Sequence, residues 1–306
     1  MPSNQQLVTL LMALLMALLI LISNSVQAQS PDSVDTGWQM KSRMGLQLQQ
    51  SNYSRSWAGD EVGTISWAWS WNSEAGKQIA PWANFLNTLV TQFGQTHQQN
   101  ADRSGWEKPR KSADKITYRS LLRFTTGGLL EPFIAFDLDT QFYGELDNLG
   151  VKKTAAFTPS IFRLSVGIAR TVHESESRRV ITRLGLAGKT SVERLAFDTT
   201  TLEVSTQRST EAGLEWFTTG RWVTPKEKTL FESELRFFKA FATSEEHNAS
   251  RDHWAQIDID WQNTLSSRVN SFIEFVLFWQ ILYEAQVDLR GQFKQTLGAG
   301  LTWRLK

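Results

Sequence analysis

The chain has 306 residues, 41% of them hydrophobic, with 32 basic against 31 acidic side chains, no cysteine and 13 tryptophans. A net charge of +1 offers no field to gather nucleic acid, and zero cysteine excludes disulfides, thiolate metal sites, a cysteine nucleophile and a lipoprotein anchor within these residues. The modest hydrophobic fraction does not suit a bundle of membrane helices; it suits a membrane β-barrel, where only alternate residues meet lipid and tryptophans gather in girdles at the two interfaces.

Residues 7–22 form an almost unbroken run of Leu, Met, Ala, Val and Ile, followed by Ser23-Asn24-Ser25 and then Val26-Gln27-Ala28. Small or aliphatic residues at those last places predict a signal peptide over 1–28, cut after Ala28, although no Lys or Arg precedes the run. An uncleaved anchor is the alternative, but the run is shorter than the ~20 residues of a usual spanning helix. No other stretch is apolar for long enough to be a membrane helix. A short periplasmic segment over 29–37 would then lead into one domain over 38–306, since no Pro- or Ser-rich linker divides it.

From there the chain reads as strands of period two. The first, 38–49, alternates Trp38, Met40, Met44, Leu46 and Leu48 with Lys41, Arg43, Gly45, Gln47 and Gln49. The second, 62–72, sets Ile65, Trp67, Trp69 and Trp71 against Thr64, Ser66, Ala68, Ser70 and Asn72. Three tryptophans on one face crowd a small core, whereas in lipid they need no fitted partner. Over 82–95 the spacing of Phe85, Leu89 and Phe93 suits a helix as well as a strand, and β-branched Thr88, Val90 and Thr91 favour the strand. A polar loop over 96–113 follows. The strand at 114–125 presents Lys115, Thr117, Arg119 and Arg123 opposite Ile116, Tyr118, Leu122 and Phe124, and Thr126-Gly127-Gly128 turns out of it.

The most regular stretch is 133–143. Ile134, Phe136, Leu138, Thr140 and Phe142 share one face; Ala135, Asp137, Asp139 and Gln141 share the other. A soluble sandwich would bury the apolar face, while a barrel would turn it to lipid and the aspartates to the lumen. After a long connection, 161–171 sets Phe162, Leu164, Val166 and Ile168 against Arg163, Ser165, Gly167 and Ala169. A short turn leads to 179–187, with Arg183 and Gly185 inward. Then come 206–219, with Glu211, Gly213 and Glu215 inward and Trp216 outward, and 229–242, with Glu232, Glu234 and Arg236. The last three are 253–263, with Asp258 and Asp260 behind Ile257, Ile259 and Trp261; 269–283, with Glu274 inward and Trp279 outward; and 291–305, ending Leu297, Ala299, Leu301, Trp303, Leu305.

Twelve is the even number that a single-chain bacterial barrel requires, and the connections alternate short and long, as periplasmic turns and outer loops do. The fold expected is therefore all-β: one antiparallel up-and-down transmembrane barrel behind a signal peptide. The last strand, apolar at alternate positions with an aromatic near its end, resembles the signal read by barrel-assembly machinery, with Lys306 as a departure. Trp57-Ala58-Gly59-Asp60 after Tyr53-Ser54, Phe157-Thr158-Pro159-Ser160 before Arg163-Leu164-Ser165, Arg183-Leu184-Gly185-Leu186, and Gln292 with Gln295-Thr296-Leu297-Gly298-Ala299-Gly300-Leu301 also resemble a family of exported bacterial barrels known only as a domain of unknown function. The resemblance covers nearly the whole mature chain. It implies a barrel in the outer membrane of a Gram-negative cell and carries over no activity.

Sorting the inward charges by strand gives a pattern. Lys41, Arg43, Lys115, Arg119, Arg123, Arg163 and Arg183 are bases of the earlier strands; Glu211, Glu215, Glu232, Glu234, Asp258, Asp260 and Glu274 are acids of the later ones, with Asp137 and Asp139 beside the bases. A water-filled lumen so divided would orient small polar solutes and select among ions, as a porin-like pore or transporter. Alternatively the opposite charges meet and seal the barrel, which then serves as a structural or surface-interaction protein through its long loops, with Trp57 and Trp106 as anchors. Trp67, Trp69, Trp71, Trp216, Trp261, Trp279 and Trp303 are expected at the lipid face or its girdles, making outer-membrane lipid and the assembly machinery the partners. A hydrolase ranks third: His97, His173, His247 and His253 carry no motif, although His253 lies near Ser250. The aspartate pairs lack a third ligand at metal spacing, so neither metal nor cofactor is expected.

Overall fold

A computed structural model describes residues 37–54, 61–102, 104–144, 155–195, 205–224, 228–244, 256–284 and 290–305. The expected signal peptide, Trp57, His247, Ser250 and His253 lie outside the described residues. Within them the period-two pattern becomes twelve strands: β1 (Gln39–Ser51), β2 (Thr64–Ala80), β3 (Ala83–Gln98), β4 (Arg110–Phe124), β5 (Glu131–Thr140), β6 (Ser160–Glu174), β7 (Arg178–Leu195), β8 (Ser205–Val223), β9 (Thr229–Thr243), β10 (Ile257–Arg268), β11 (Ile273–Tyr283) and β12 (Gln292–Leu305). Each pairs antiparallel with its neighbours in sequence, and β1 pairs with β12, closing the barrel.

Several strands run beyond the bounds their sequences suggest. β2 keeps its ladder with β3 past 72 to Ala80, leaving only Pro81 and Trp82 as the connection. The ambiguous third segment is strand throughout, paired on to Gln98, and β4 begins at Arg110, so the polar loop is shorter than 96–113. β7 pairs with β8 as far as Leu195 and so takes in Lys189. β10 and β11 start later than expected. The segment 269–272 between them is a turn in which Asn270 Oδ1 accepts the N–H groups of Phe272 and Ile273, each at 2.8 Å. The connections at one end are short (81–82, 125–130, 175–177, 224–228, 269–272), and those at the other are long.

Polarity is inverted relative to a soluble protein. Asp137, Arg183, Lys189, Glu211, Glu215, Arg236 and Glu274 are buried, while Leu164, Leu184, Leu214, Trp216, Trp261, Phe275, Leu297 and Trp303 are exposed. An apolar belt of this extent is a lipid-facing surface, because in water it would drive aggregation. Paired residues share a face, so the register carries this division from strand to strand. At the β6–β7 wall the inward positions Gly167 and Gly185 stand opposite one another. A Cβ on Gly167 would lie 2.2 Å from the Leu184 carbonyl oxygen, and one on Gly185 would lie 2.3 Å from that of Val166. The wall bends there more tightly than any side chain allows.

Candidate functional site

The site is the lumen at mid-height. Register sets Arg119 of β4 opposite Asp137 of β5, Asp137 opposite Arg163 of β6, and Arg163 opposite Lys189 of β7, so the bases and aspartates share one inner row. On the far arc, Arg183 of β7 lies opposite Phe217 of β8, Phe217 opposite Arg236 of β9, and Arg236 opposite Asp260 of β10.

These rows meet. Arg236 donates to Asp137 across the lumen and lies 3.1 Å from Glu215. Arg119 donates to Glu234, from β4 to β9. Lys115 on the same strand donates to Gln262 of β10 at 2.6 Å; Gln262 in turn donates to Asp260, as does Gln280. A circle of twelve tilted strands ~4.8 Å apart would be roughly 23 Å across. Arginine and glutamate, extended and hydrogen-bonded, span only about 15 Å. The barrel is therefore narrowed along the axis that joins β4 to β9.

One ring sits at the centre of this charged layer. Phe217 receives the guanidinium groups of Arg236 at 4.5 Å, Arg183 at 4.7 Å and Arg119 at 5.4 Å from its centroid, and Arg183 also lies 5.2 Å over Phe133. Three cations round one ring repel. Asp137, Glu215 and Glu234 balance them in number, and the ring face supplies further attraction.

Above this layer, at the long-loop end, Lys189 Nζ stands 3.3 Å from Glu211, 3.1 Å from Asp258 and 2.7 Å from Glu284. Asp139 takes Arg163 and the Thr117 hydroxyl, both at 2.7 Å. Below it, Arg43 lies 3.2 Å from Glu232 and 4.0 Å from Glu274, while Arg123 lies 3.1 Å from Glu131. Lys41 stands apart, beside Gln39, Glu74, Gln78, Asn84 and Arg179 in a cavity of about 270 Å³ at the short-turn end. In the loop over 99–109, the N–H and hydroxyl of Ser104 hold the Asp102 carboxyl below its usual range.

Asp137 and Asp139 are therefore held mainly by Arg236 and Arg163, rather than by the arginines of the neighbouring β4. Among the described residues no three His, Asp or Glu side chains are placed to hold a metal. His97 and His173 lie at opposite ends of the barrel, near the ends of β3 and β6. Sequence reasoning passed over Lys189, which fell past the end of a seventh strand drawn too short, and Glu284, which follows Tyr283 at the end of β11. It also passed over Phe217, an aromatic on the inner face that carries Glu211 and Glu215; its place two residues after Glu215 was the available signal.

On the outer wall the indole N–H groups find hydroxyls on the preceding strand: Trp71 to Ser42 at 2.7 Å, Trp216 to Thr182 at 2.8 Å and Trp261 to Ser233 at 3.1 Å. The tryptophans of β2 do have fitted neighbours, since Trp67 meets the Phe93 ring edge-on at 5.7 Å and Trp69 lies opposite Phe93 in register. Trp279 stacks on Phe231 at 5.9 Å, and Trp303 is exposed.

No family model matches the chain, and no curated protein matches it by sequence. Among solved structures, it is similar to an outer membrane channel from Pseudomonas putida F1, with 12% identity and a TM-score of 0.39 over 92% of this chain and 99% of that one. It is also similar to the translocator domain of the autotransporter NalP from Neisseria meningitidis, with 8% identity and a TM-score of 0.36 over 96% and 95%. The β domain of the Bordetella autotransporter BrkA gives 10% identity and a TM-score of 0.32 over 87% and 98%.

Proposed function

We propose that the protein is an outer-membrane barrel of a Gram-negative cell, closed to solutes as folded, which acts at the cell surface through its long loops. On this reading it is exported by a Sec-type route, cut after Ala28, inserted by barrel-assembly machinery that reads β12, and akin to the uncharacterised barrel family it resembles. The short connections then face the periplasm and the long ones face outward. The apolar belt supports the membrane placement. The observation that carries the closed state is the pair of cross-lumen contacts, Arg119 to Glu234 and Arg236 to Asp137.

A second reading, a gated pore for small polar solutes, is favoured by the polar compartments on either side of the seal, the Lys41 cavity below and the Lys189 cluster above. Planar-bilayer recording separates the two. The folded wild-type barrel is expected to show no discrete current steps. Steps from the wild type, with ion preference altered by neutralising Asp258 and Asp260, would overturn the closed reading in favour of the pore.

A further inference from the structure

The barrel closes where β1 meets β12, and that ladder covers only Ser42↔Leu305 through Gln47↔Gly300. β1 runs on through Ser51 and β12 begins as far back as Gln292, so both strands continue beyond the last pair without joining. Among the described residues, every other ladder reaches to within a residue of the end of one of its two strands. Unjoined strand edges at membrane depth leave N–H and C=O groups that acyl chains cannot satisfy, so such a gap holds water or a polar ligand.

The exposure of the flanking side chains is a second, independent sign. Gln49, Lys294 and Thr296 point inward and are exposed, while Thr117 and Asp137 on the far wall are 1% and 2% exposed. On the outer side Leu48 is 66% and Leu297 70% exposed. Gly298 leaves room at the gap for the Gln47 side chain, whose Oε1 lies 2.3 Å from where a Cβ would stand.

We propose that this gap is a lateral cleft for an anionic amphiphile of the outer leaflet. Its head lies inside the lumen against Lys294, which has no ion-pair partner among the described residues, and the bare strand edges; its acyl chain passes out between Leu48 and Leu297. The cleft lies above the seal, so it opens to the outer half of the lumen alone. It rests on the membrane placement proposed above and is independent of whether the barrel conducts.

The test is photolabelling of the full mature barrel in lipid nanodiscs. The probe is a long-chain fatty acid with a diazirine in its chain, and the labelled positions are mapped by mass spectrometry. Labelling is expected at inward positions 49, 294, 296 and 298 as well as on the outer belt. A Gln49→Cys/Gly298→Cys pair, the only cysteines in the chain, closes the gap as a disulfide and should remove the inward labels while sparing the belt. Independently of that staple, Lys294→Gln should weaken inward labelling by the acid but not by its methyl ester. Inward positions left unlabelled while the belt is labelled would sink the cleft and leave the membrane placement standing; a belt left unlabelled would sink the placement itself. Inward labels that ignore both the staple and Lys294→Gln would also overturn the cleft.

Discussion

The Arg236 guanidinium on β9 donates to the Asp137 carboxylate on β5, and its other terminal nitrogen lies 3.1 Å from Glu215 on β8. All three side chains are nearly buried. Removing the arginine alone leaves two carboxylates out of water, short of the counter-charge that balanced them, with Arg183 shared between them. Arg236→Met is expected to cost about 3–5 kcal/mol. Urea unfolding followed by tryptophan fluorescence in lipid vesicles measures it. Replacing both partners of the cross-lumen pair, as Arg236→Met with Asp137→Asn, should restore most of the loss, because Arg183 then remains beside Glu215 and Arg119 with Glu234. A double variant as weak as the single one would show that the ion cluster is not what holds the two walls together.

The fold was legible because polarity alternates on strand after strand, and 133–143 shows why. With Phe136 and Leu138 on one face and Asp137 and Asp139 on the other, it needs a medium for each, and only a lipid-embedded barrel accepts twelve such strands. The partners inside were less legible. Period two assigns Arg119 and Glu234 to an inner face but says nothing of which inner residues come within reach, which depends on how far the barrel narrows. Nor could the pattern show that Lys189 is paired, because Gly188 breaks the alternation that would have carried the seventh strand past Ala187.

The indole contacts on the outer wall allow a measurement of their own. Trp71, Trp216 and Trp261 each reach a hydroxyl two residues from their register partner on the preceding strand. In the apolar belt no water competes for the N–H. Ser42→Ala, Thr182→Ala and Ser233→Ala are each expected to destabilise the barrel by about 0.6 kcal/mol, and by no more than ~1.7. In a double-mutant cycle the Ser42→Ala loss should vanish in a Trp71→Phe background. An undiminished loss there would mean that the hydroxyl does something other than accept from the indole.

Gly167 and Gly188 make a matched pair for testing the bend in the wall. A Cβ at Gly167 would lie 2.2 Å from the Leu184 carbonyl oxygen, a backbone atom that cannot swing aside, whereas one at Gly188 meets nothing within 4 Å. Gly167→Ala should cost about 1–3 kcal/mol or block folding, while Gly188→Ala should stay within roughly 0.5 kcal/mol of the wild type. The urea midpoint reads both. Equal effects would remove the steric account of the bend.

Lys189 draws three carboxylates round one ammonium. Its ammonium is surrounded by Glu211, Asp258 and Glu284 at 3.3, 3.1 and 2.7 Å, an excess of negative charge round one cation. As they stand the three carboxylates are not placed to hold a metal, but in Lys189→Gln they face one another without the ammonium, and closing in on a hard divalent cation would relieve their repulsion with oxygen ligands. The variant should be less stable than the wild type in chelator and recover on addition of calcium, because a ligand that binds only the folded state stabilises it by mass action. Melting temperature measured with chelator and with millimolar calcium checks this: the wild type should show no such response, since its lysine already fills the position. A variant that melts at the same temperature in both media would mean that the carboxylates move apart once the lysine is gone, and that the ammonium itself holds them together.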